Sequence, residues 1–369
     1  MPSNQAIPLT LGVEEEFQLL CPETLALLPA YDRLVACNPS EGLSIKSELH
    51  QSCCEVVTHP CRTVAELDEA LRSNRRSLFQ IAERAGICVA LSGTHPFSHW
   101  SDLEITREKR RLLSEYLFQE AHRQCLAFAL HIHIGVPDRS LALRVMNDAR
   151  CLLPILYALS CSSPFLEERR TGLKSSRLLR ASGFPRTGIP DTFENLDQLD
   201  QFVATMQRAG LIVDAGQLWW DIRIHHVYPT VEFRVCDAVP LLQDVTALAA
   251  LAQTFVARLL DDYADGNRIE PLDRFLVCEN RWRAGRFGTD VELLDHGTLS
   301  LVPLAQQLTN LCAQLEHWAR RLHVTEHLDR VLDIAAQGSA AERQLAVLKD
   351  NKTALKEVVR LYLAETSDI

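Results

Sequence analysis

The stretch Gly12-Val-Glu-Glu-Glu-Phe-Gln-Leu19 decides the fold. Laid out as an extended chain, it puts Glu14, Glu16 and Gln18 on one face and Val13, Phe17 and Leu19 on the other, with Glu15 alone out of pattern. Period-two alternation predicts a half-buried strand, and here its wet face is acidic. The same reading recurs downstream. In Leu130-His-Ile-His-Ile-Gly135, His131 and His133 oppose Ile132 and Ile134. In Trp219-Trp-Asp-Ile-Arg-Ile224, Asp221 and Arg223 oppose Ile222 and Ile224, and in Thr230-Val-Glu-Phe-Arg-Val235, Glu232 and Arg234 oppose Val231, Phe233 and Val235. Ser52-Cys-Cys-Glu-Val-Val-Thr58 alternates less regularly and offers Glu55, and Ile87–Leu91 reads as a further strand.

Helical segments lie between these strands. Thr63 with Glu66 makes a capping-box pattern and Gly86 a stop, which predicts a helix over 64–85. Further helices are expected near 105–121, 140–161, 194–209, 241–264 and 271–285, with a mostly helical region from about 300 to 366. Strands separated by helices often form parallel units, but strands with one cleanly polar face suit an antiparallel sheet with helices on its other side. The expected class is therefore α+β, a curved, mostly antiparallel sheet backed by helices. With dispersed prolines and glycines and no repeat or linker, the 369 residues read as one globule, 1–369, whose helical C-terminal part covers about 300–369.

Composition narrows the function. The 38 Lys+Arg against 48 Asp+Glu leave a net charge of −10, which argues against nucleic acid or an acidic membrane as partner. The longest uncharged run, Gly297 to Leu315, holds Gln306, Gln307, Asn310 and Gln314 and is too polar to span a bilayer. Met1 to Thr10 lacks the layout of a secretory signal, so a cytoplasmic location is expected. Twelve scattered cysteines without a C-x-x-C then read as reduced, mostly buried thiols.

The polar strand faces carry the chemistry. An ordinary exposed face mixes Lys, Thr, Ser and Gln, whereas these offer Glu14, Glu16, Glu55, Glu232, His131 and His133, with Arg223 and Arg234 interspersed. Such a face repels itself without cations. Carboxylate oxygens with imidazoles suit Mg²⁺ or Mn²⁺, and arginine forks suit phosphate oxygens, so the pattern points to phosphate chemistry. Walker and G-x-G patterns are absent, so a nucleotide must be held another way. Several residues carry two readings. Trp219 and Trp220 either stack on adenine or, for one of them, enter the core; His95 either shapes its turn or touches substrate; Cys61 is a buried thiol or a nucleophile. The Arg107 to Arg111 stretch reads as a solvated helix start or a subunit contact, and Arg281 and Arg286 flank a helix end suited to an anion.

In this company the sequence resembles the type 2 glutamate-cysteine ligases, or carboxylate-amine ligases, of the glutamine synthetase-like superfamily. The resemblance rests on Leu11-Gly-Val-Glu-x-Glu16, Glu55-Val-Val-Thr-x-x-Cys-Arg62, Gly93-Thr-His-Pro-Phe97, His131-Ile-His-Ile-Gly135, Trp220-Asp-Ile-Arg223, Thr230-Val-Glu-Phe-Arg-Val235 with Asp237, and Asn280-Arg281 with Arg286-Phe-Gly288. It implies a glutamine synthetase-like fold, ATP, Mg²⁺ or Mn²⁺ and an acyl-phosphate route joining an amino acid to an amine. Glu14, Glu16, Glu55, His131 and Glu232 are the implied metal ligands, Arg223 and Arg234 the arginines on the transferred phosphoryl group, and His133, Arg281 and Arg286 the nucleotide contacts. A homodimer or higher homo-oligomer is also implied. Alternatives are the same mechanism on a different amino acid and amine, a guanidino kinase, and a non-catalytic ligand-binding regulator.

Overall fold

A computed structural model of the chain describes residues 9–39, 42–225, 227–267, 272–295, 297–348 and 355–369. Seven strands form the main sheet: β1 (Leu11–Leu20), β2 (Ile45–Ser47), β3 (Cys53–Val57), β4 (Cys88–Ala90), β5 (Ala129–Gly135), β6 (Ile222–Ile224) and β7 (Thr230–Asp237). Their order is β6-β7-β5-β1-β3-β2, β4 also pairs with β1, and every pairing is antiparallel. The expected α+β architecture holds. Register sets the polar residues side by side, with Glu14 opposite His131, Glu16 opposite Glu55, and Glu232 opposite both His133 and Arg223.

The apolar face is covered by helices. Leu242–Ala264 is Ala-rich and buried along nearly its whole length, lying between the sheet and the helices Leu304–Leu322 and Thr325–Gln337. Val13, Ile132, Ile134, Val231 and Phe233 join that core, while Phe17 and Leu19 pack in a second cluster with Leu78, Ile81 and Tyr362. The Val64–Arg84 helix starts where the capping pattern places it, with Thr63 accepting from the Glu66 N–H, and Gly86 supplies the left-handed turn after it at φ +63.

Glu15 faces the apolar side. Its partner is Arg75, whose Nη2 lies 2.6 Å from Glu15 Oε1 and which also donates to the carbonyls of Val239, Pro240 and Thr366. Around this pair the Leu355–Ser367 helix is fastened to the sheet: Tyr362 Oη donates to Gln18 (2.9 Å), and the Leu91 N–H donates to Thr366 Oγ1 (3.1 Å).

β7 carries a bulge. Phe233 pairs with Ile132 and Cys236 with Leu130, so Arg234 and Val235 together oppose His131. The bulge's carbonyls, Arg234 O and Val235 O, accept from Arg177, and the Arg234 N–H donates to Asp221 O (2.8 Å). The extra residue shifts the alternation, so that Asp237 returns to the polar side, where it accepts from Ser162, Ser163, Ser175 and Arg177. Gly93 is required there, because a Cβ would lie 2.6 Å from the Asp237 carboxylate.

Some sequence expectations need correction. The helix expected over 140–161 is divided into Arg139–Asp148 and Leu153–Ser160, because Pro154 lacks the N–H that would continue it. The start expected at 271 and the part of the helical tail at 349–354 lie outside the described residues. Before that tail stands a hairpin, Glu292–Asp295 with Ser300–Pro303, which the sequence reading missed. Among the described residues no helix is long and apolar enough to cross a membrane. All twelve cysteines are free thiols.

Candidate active site

The polar face of the sheet forms the floor of a cleft of about 520 Å³. Glu14, Glu16, Glu55, His131, Arg223, Arg234 and Arg281 all line it, although they come from five strands and a helix. Glu232 lies under them at 1% exposure. Two overlapping donor sets result, Glu14 with His131 and Glu232, and Glu16 with Glu55 and His131, with ligand atoms within 4.8 Å of one another in each. Carboxylate oxygens with one imidazole fit a hard divalent cation that keeps some of its waters.

The carboxylates divide by environment. Burial alone would raise Glu14, but a hydrogen bond from His131 (3.0 Å) and the His133 imidazole, whose Nε2 lies 3.4 Å away, hold it far below the ordinary carboxylate range. Burial would raise Glu232 as well, but Arg234 and Arg223 hold it down, with Arg223 Nε 2.6 Å away. Burial and the neighbouring Glu48 push Glu16 up to about 8, although it accepts from the Ala129 N–H at 2.7 Å. Burial and Glu14 raise Glu55 well above its ordinary value despite Lys46 at 2.9 Å. Burial and Arg234 lower His131 to about 4, which leaves it neutral and able to ligate. The centre thus holds more carboxylates than its own cations neutralise, and burial raises two of them, Glu16 and Glu55, above the ordinary carboxylate range.

The arginines are not equivalent. Arg223 directs Nε and Nη2 to Glu232 and Nη1 to the Gly216 and Leu218 carbonyls, so its fork is committed to positioning Glu232. Arg234 pairs with the same carboxylate and reaches the cleft from the bulge. Arg281 pairs with Asp221 at the cleft wall. Arg286, expected beside it, is placed elsewhere: five residues on, at about 100° per residue, turn it about 140° around the helix from Arg281. It is exposed, with its guanidinium 4.9 Å over the Phe287 ring. His133 sits one register step from the centre, between Glu14 and Thr230 Oγ1 (3.3 Å).

The residues with two readings take definite places. Trp220 packs in the core against Phe193 and Phe202, while Trp219 lines the cleft beside Phe118 and Phe184. His95 shapes its turn, its Nε2 donating to Leu25 O (2.9 Å) and its Nδ1 accepting from the Ser98 N–H (3.0 Å). Cys61 is buried and burial pushes its thiol up to about 11, which leaves it inert. Arg111 enters the cleft wall and pairs with Glu48 at 3.2 Å. Sequence reasoning missed Lys46, Glu48, Arg177 and His122, all of which line the cleft. Each stands alone in a segment without a polar-face pattern, so no local signal marked it.

The chain matches the family model of glutamate-cysteine ligase family 2 over residues 10–362. It is 36% identical over 368 residues to "Putative glutamate--cysteine ligase 2" of Chloroflexus aggregans, covering 99% of this chain and 94% of that one. A protein of the same name from Sorangium cellulosum is 38% identical over 348 residues, covering 93% and 92%. Among solved structures, a glutamate–cysteine ligase of Francisella tularensis, in complex with AMP, superimposes with TM-score 0.70 at 11% identity over 98% of this chain and 90% of that one. A bifunctional glutathione synthetase from Pasteurella multocida gives TM-score 0.70 at 12% identity, covering 97% of this chain and 52% of that one. At such identities the two structures establish the fold alone.

Proposed function

The chain belongs to glutamate-cysteine ligase family 2, and on that footing we propose that it is an ATP-dependent carboxylate-amine ligase that joins glutamate to cysteine and releases ADP and phosphate. The observation that supports this reading best is the cleft floor, where carboxylates and an imidazole from four strands meet beside Arg234. Magnesium or manganese, held by Glu14, Glu16, Glu55, His131 and Glu232, would supply positive charge to neutralise phosphate oxygens.

A carboxylate anion resists attack by an amine and has no good leaving group, and phosphorylation removes both obstacles. The donor carboxylate attacks the γ-phosphorus of ATP and ADP departs; the amine then attacks the acyl phosphate and inorganic phosphate departs. Arg234 holds the transferring oxygens with its fork, and Arg223 positions Glu232 so that both guanidiniums stay in place. Arg281, fixed by Asp221, and His133, fixed between Glu14 and Thr230, stand at the margins where the nucleotide's remaining phosphates would lie. A guanidino kinase would instead retain the phosphoryl group on its product, and a regulator would turn nothing over. Arg286 is left out of this assignment because of its exposed position.

The reading carries with it a cytoplasmic homodimer. Large apolar side chains left exposed on two helices, Tyr116 and Phe275 at 75% each and Trp282 at 54%, support a second copy as partner. Light scattering that gives a monomer at every working concentration would remove the dimer without touching the chemistry.

The deciding experiment supplies glutamate carrying ¹⁸O in its side-chain carboxylate, with cysteine, ATP and magnesium. One label is expected in released phosphate, with ADP and the dipeptide detected by mass. AMP and pyrophosphate, or label kept wholly in the organic product, would sink the acyl-phosphate route.

A further inference from the structure

The cleft wall formed by β2, β3 and the segment 120–126 changes in character away from the acidic centre. His50, Cys53, His122 and Cys125 line it. Two of these side chains have no explanation in the machinery described so far. His50 is 2% exposed and His122 4%. Neither ring nitrogen of His50, and not Nε2 of His122, has a hydrogen-bond partner among the described residues. The Arg123 main chain lies near His50 and favours its protonated form slightly, without hydrogen-bond geometry. Their neighbours are accounted for: the chain at Leu49 and Gln51 is tied by main-chain bonds to Thr106 and Glu104, and His122 packs edge-on against Phe184 with ring centroids 6.1 Å apart.

Buried polar atoms without partners are few in native folds, and in a cleft they mark where a ligand completes the pattern. Burial pushes both imidazoles down to about 4, so each is neutral and presents one donor and one acceptor. Burial pushes the Cys125 thiol up to about 12, so it stays protonated. The charges that act on His122, Glu115, Arg111 and Arg123, are already matched within the wall, Arg111 by Glu48 at 3.2 Å and Arg123 by Glu115 at 3.0 Å. A charged side chain would lose its water there without gaining a counter-ion, and a wholly apolar one would leave the imidazoles unpaired.

We propose that His50 and His122 form the subsite for the side chain of the amine acceptor, and that they select a small neutral side chain with a hydrogen-bonding head, a thiol or a hydroxyl. This inference rests on the ligase reading above and assigns the residues that recognise the acceptor's side chain. The thiol or hydroxyl donates to one imidazole and accepts from the other, so it partners one ring nitrogen of each.

The test compares cysteine, serine and 2-aminobutyrate, which is close to cysteine in size but has no such head, as acceptors with glutamate and ATP. Wild type is expected to favour cysteine or serine over 2-aminobutyrate by about tenfold or more in kcat/KM; which of the two leads identifies the head. His50→Leu and His122→Leu should collapse that ratio toward one through the acceptor's KM, with the KM of ATP unchanged. His50→Gln and His122→Gln, which keep a donor and an acceptor, should retain part of it. An unchanged ratio in the folded Leu variants overturns the subsite. Should those variants fail to fold, the imidazole ¹⁵N resonances of wild type decide: they should move with saturating cysteine or serine and not with 2-aminobutyrate, and resonances that ignore all three overturn it. A wild type that releases no phosphate with any acceptor fails earlier, and takes the ligase reading down along with the subsite.

Discussion

Glu16 accepts a hydrogen bond from Ala129 and still keeps its proton to about 8. A carboxyl that holds its proton more tightly in the fold than in the unfolded chain contributes stability that is complete below its ordinary 4.5 and is lost as pH rises through about 8. Glu16→Gln keeps the acceptor for Ala129 and removes the buried charge. Without divalent cation its melting temperature should match wild type at pH 5 and exceed it at pH 8.5, and magnesium should raise the variant less than wild type. Thermal shift assays at both pH values check this, and equal pH dependence in the two proteins would sink it. Arg234→Lys keeps the charge but loses the fork, and kcat is expected to fall by about a hundredfold or more with folding intact. Steady-state kinetics beside circular dichroism checks it. At this scale the sequence was most legible where side chains alternate, as in Glu14, Glu16, His131, Glu232 and Arg234. It was silent for Lys46 and did not place Arg111 in the cleft, because the position of both depends on how distant segments pack.

Glu15, the residue that spoils the pattern of β1, shows what strand periodicity leaves out. It is charged, faces the apolar side, and is matched by Arg75, which is fully buried 60 residues later on the Val64–Arg84 helix. No local rule links the two. Arg75→Met should destabilise by about 3–5 kcal/mol, because it strands the Glu15 carboxylate in the core. Adding Glu15→Leu should recover much of that loss, since a well-packed apolar pair often equals a buried ion pair. Urea unfolding of the single and double variants tests this, and a single variant as stable as wild type would mean that the pair holds nothing. The division of 140–161 was readable from Pro154. The hairpin at 292–303 was not, because its strands are short and their partners are fixed by the turn and by packing. The bulge in β7 was also unreadable: alternation runs cleanly through Arg234 and Val235, and only the pairing with His131 reveals the added residue.

Across the whole molecule, four buried imidazoles make the fold sensitive to acid. His50, His122 and His131 are pushed down to about 4 and His95 to about 3, while the unfolded chain protonates each near 6.5. Between these values the unfolded state binds more protons, so stability rises with pH up to about 6.5 and falls on acidification below it. Glu16 and Glu55, both raised by burial, oppose this in the absence of a cation. With saturating magnesium the acid limb should therefore be steepest, and His50→Gln should flatten it. Calorimetry from pH 7 to 5 checks the expectation; a wild-type midpoint that stays level over that range contradicts it. The fold class was legible because strands with one wet face demand a covered back, but strand order was not, since alternation carries no register. The fastening of Leu355–Ser367 to β1 through Tyr362 and Arg75 has a consequence for the order in which the fold closes. Tyr362 and Gln18 are 344 residues apart, so the contact that locks the strand bearing Glu14 and Glu16 closes a very long loop. Closure over such a separation costs entropy before it returns any contact energy, so this helix is expected to dock late in refolding, after the sheet that presents the ligands.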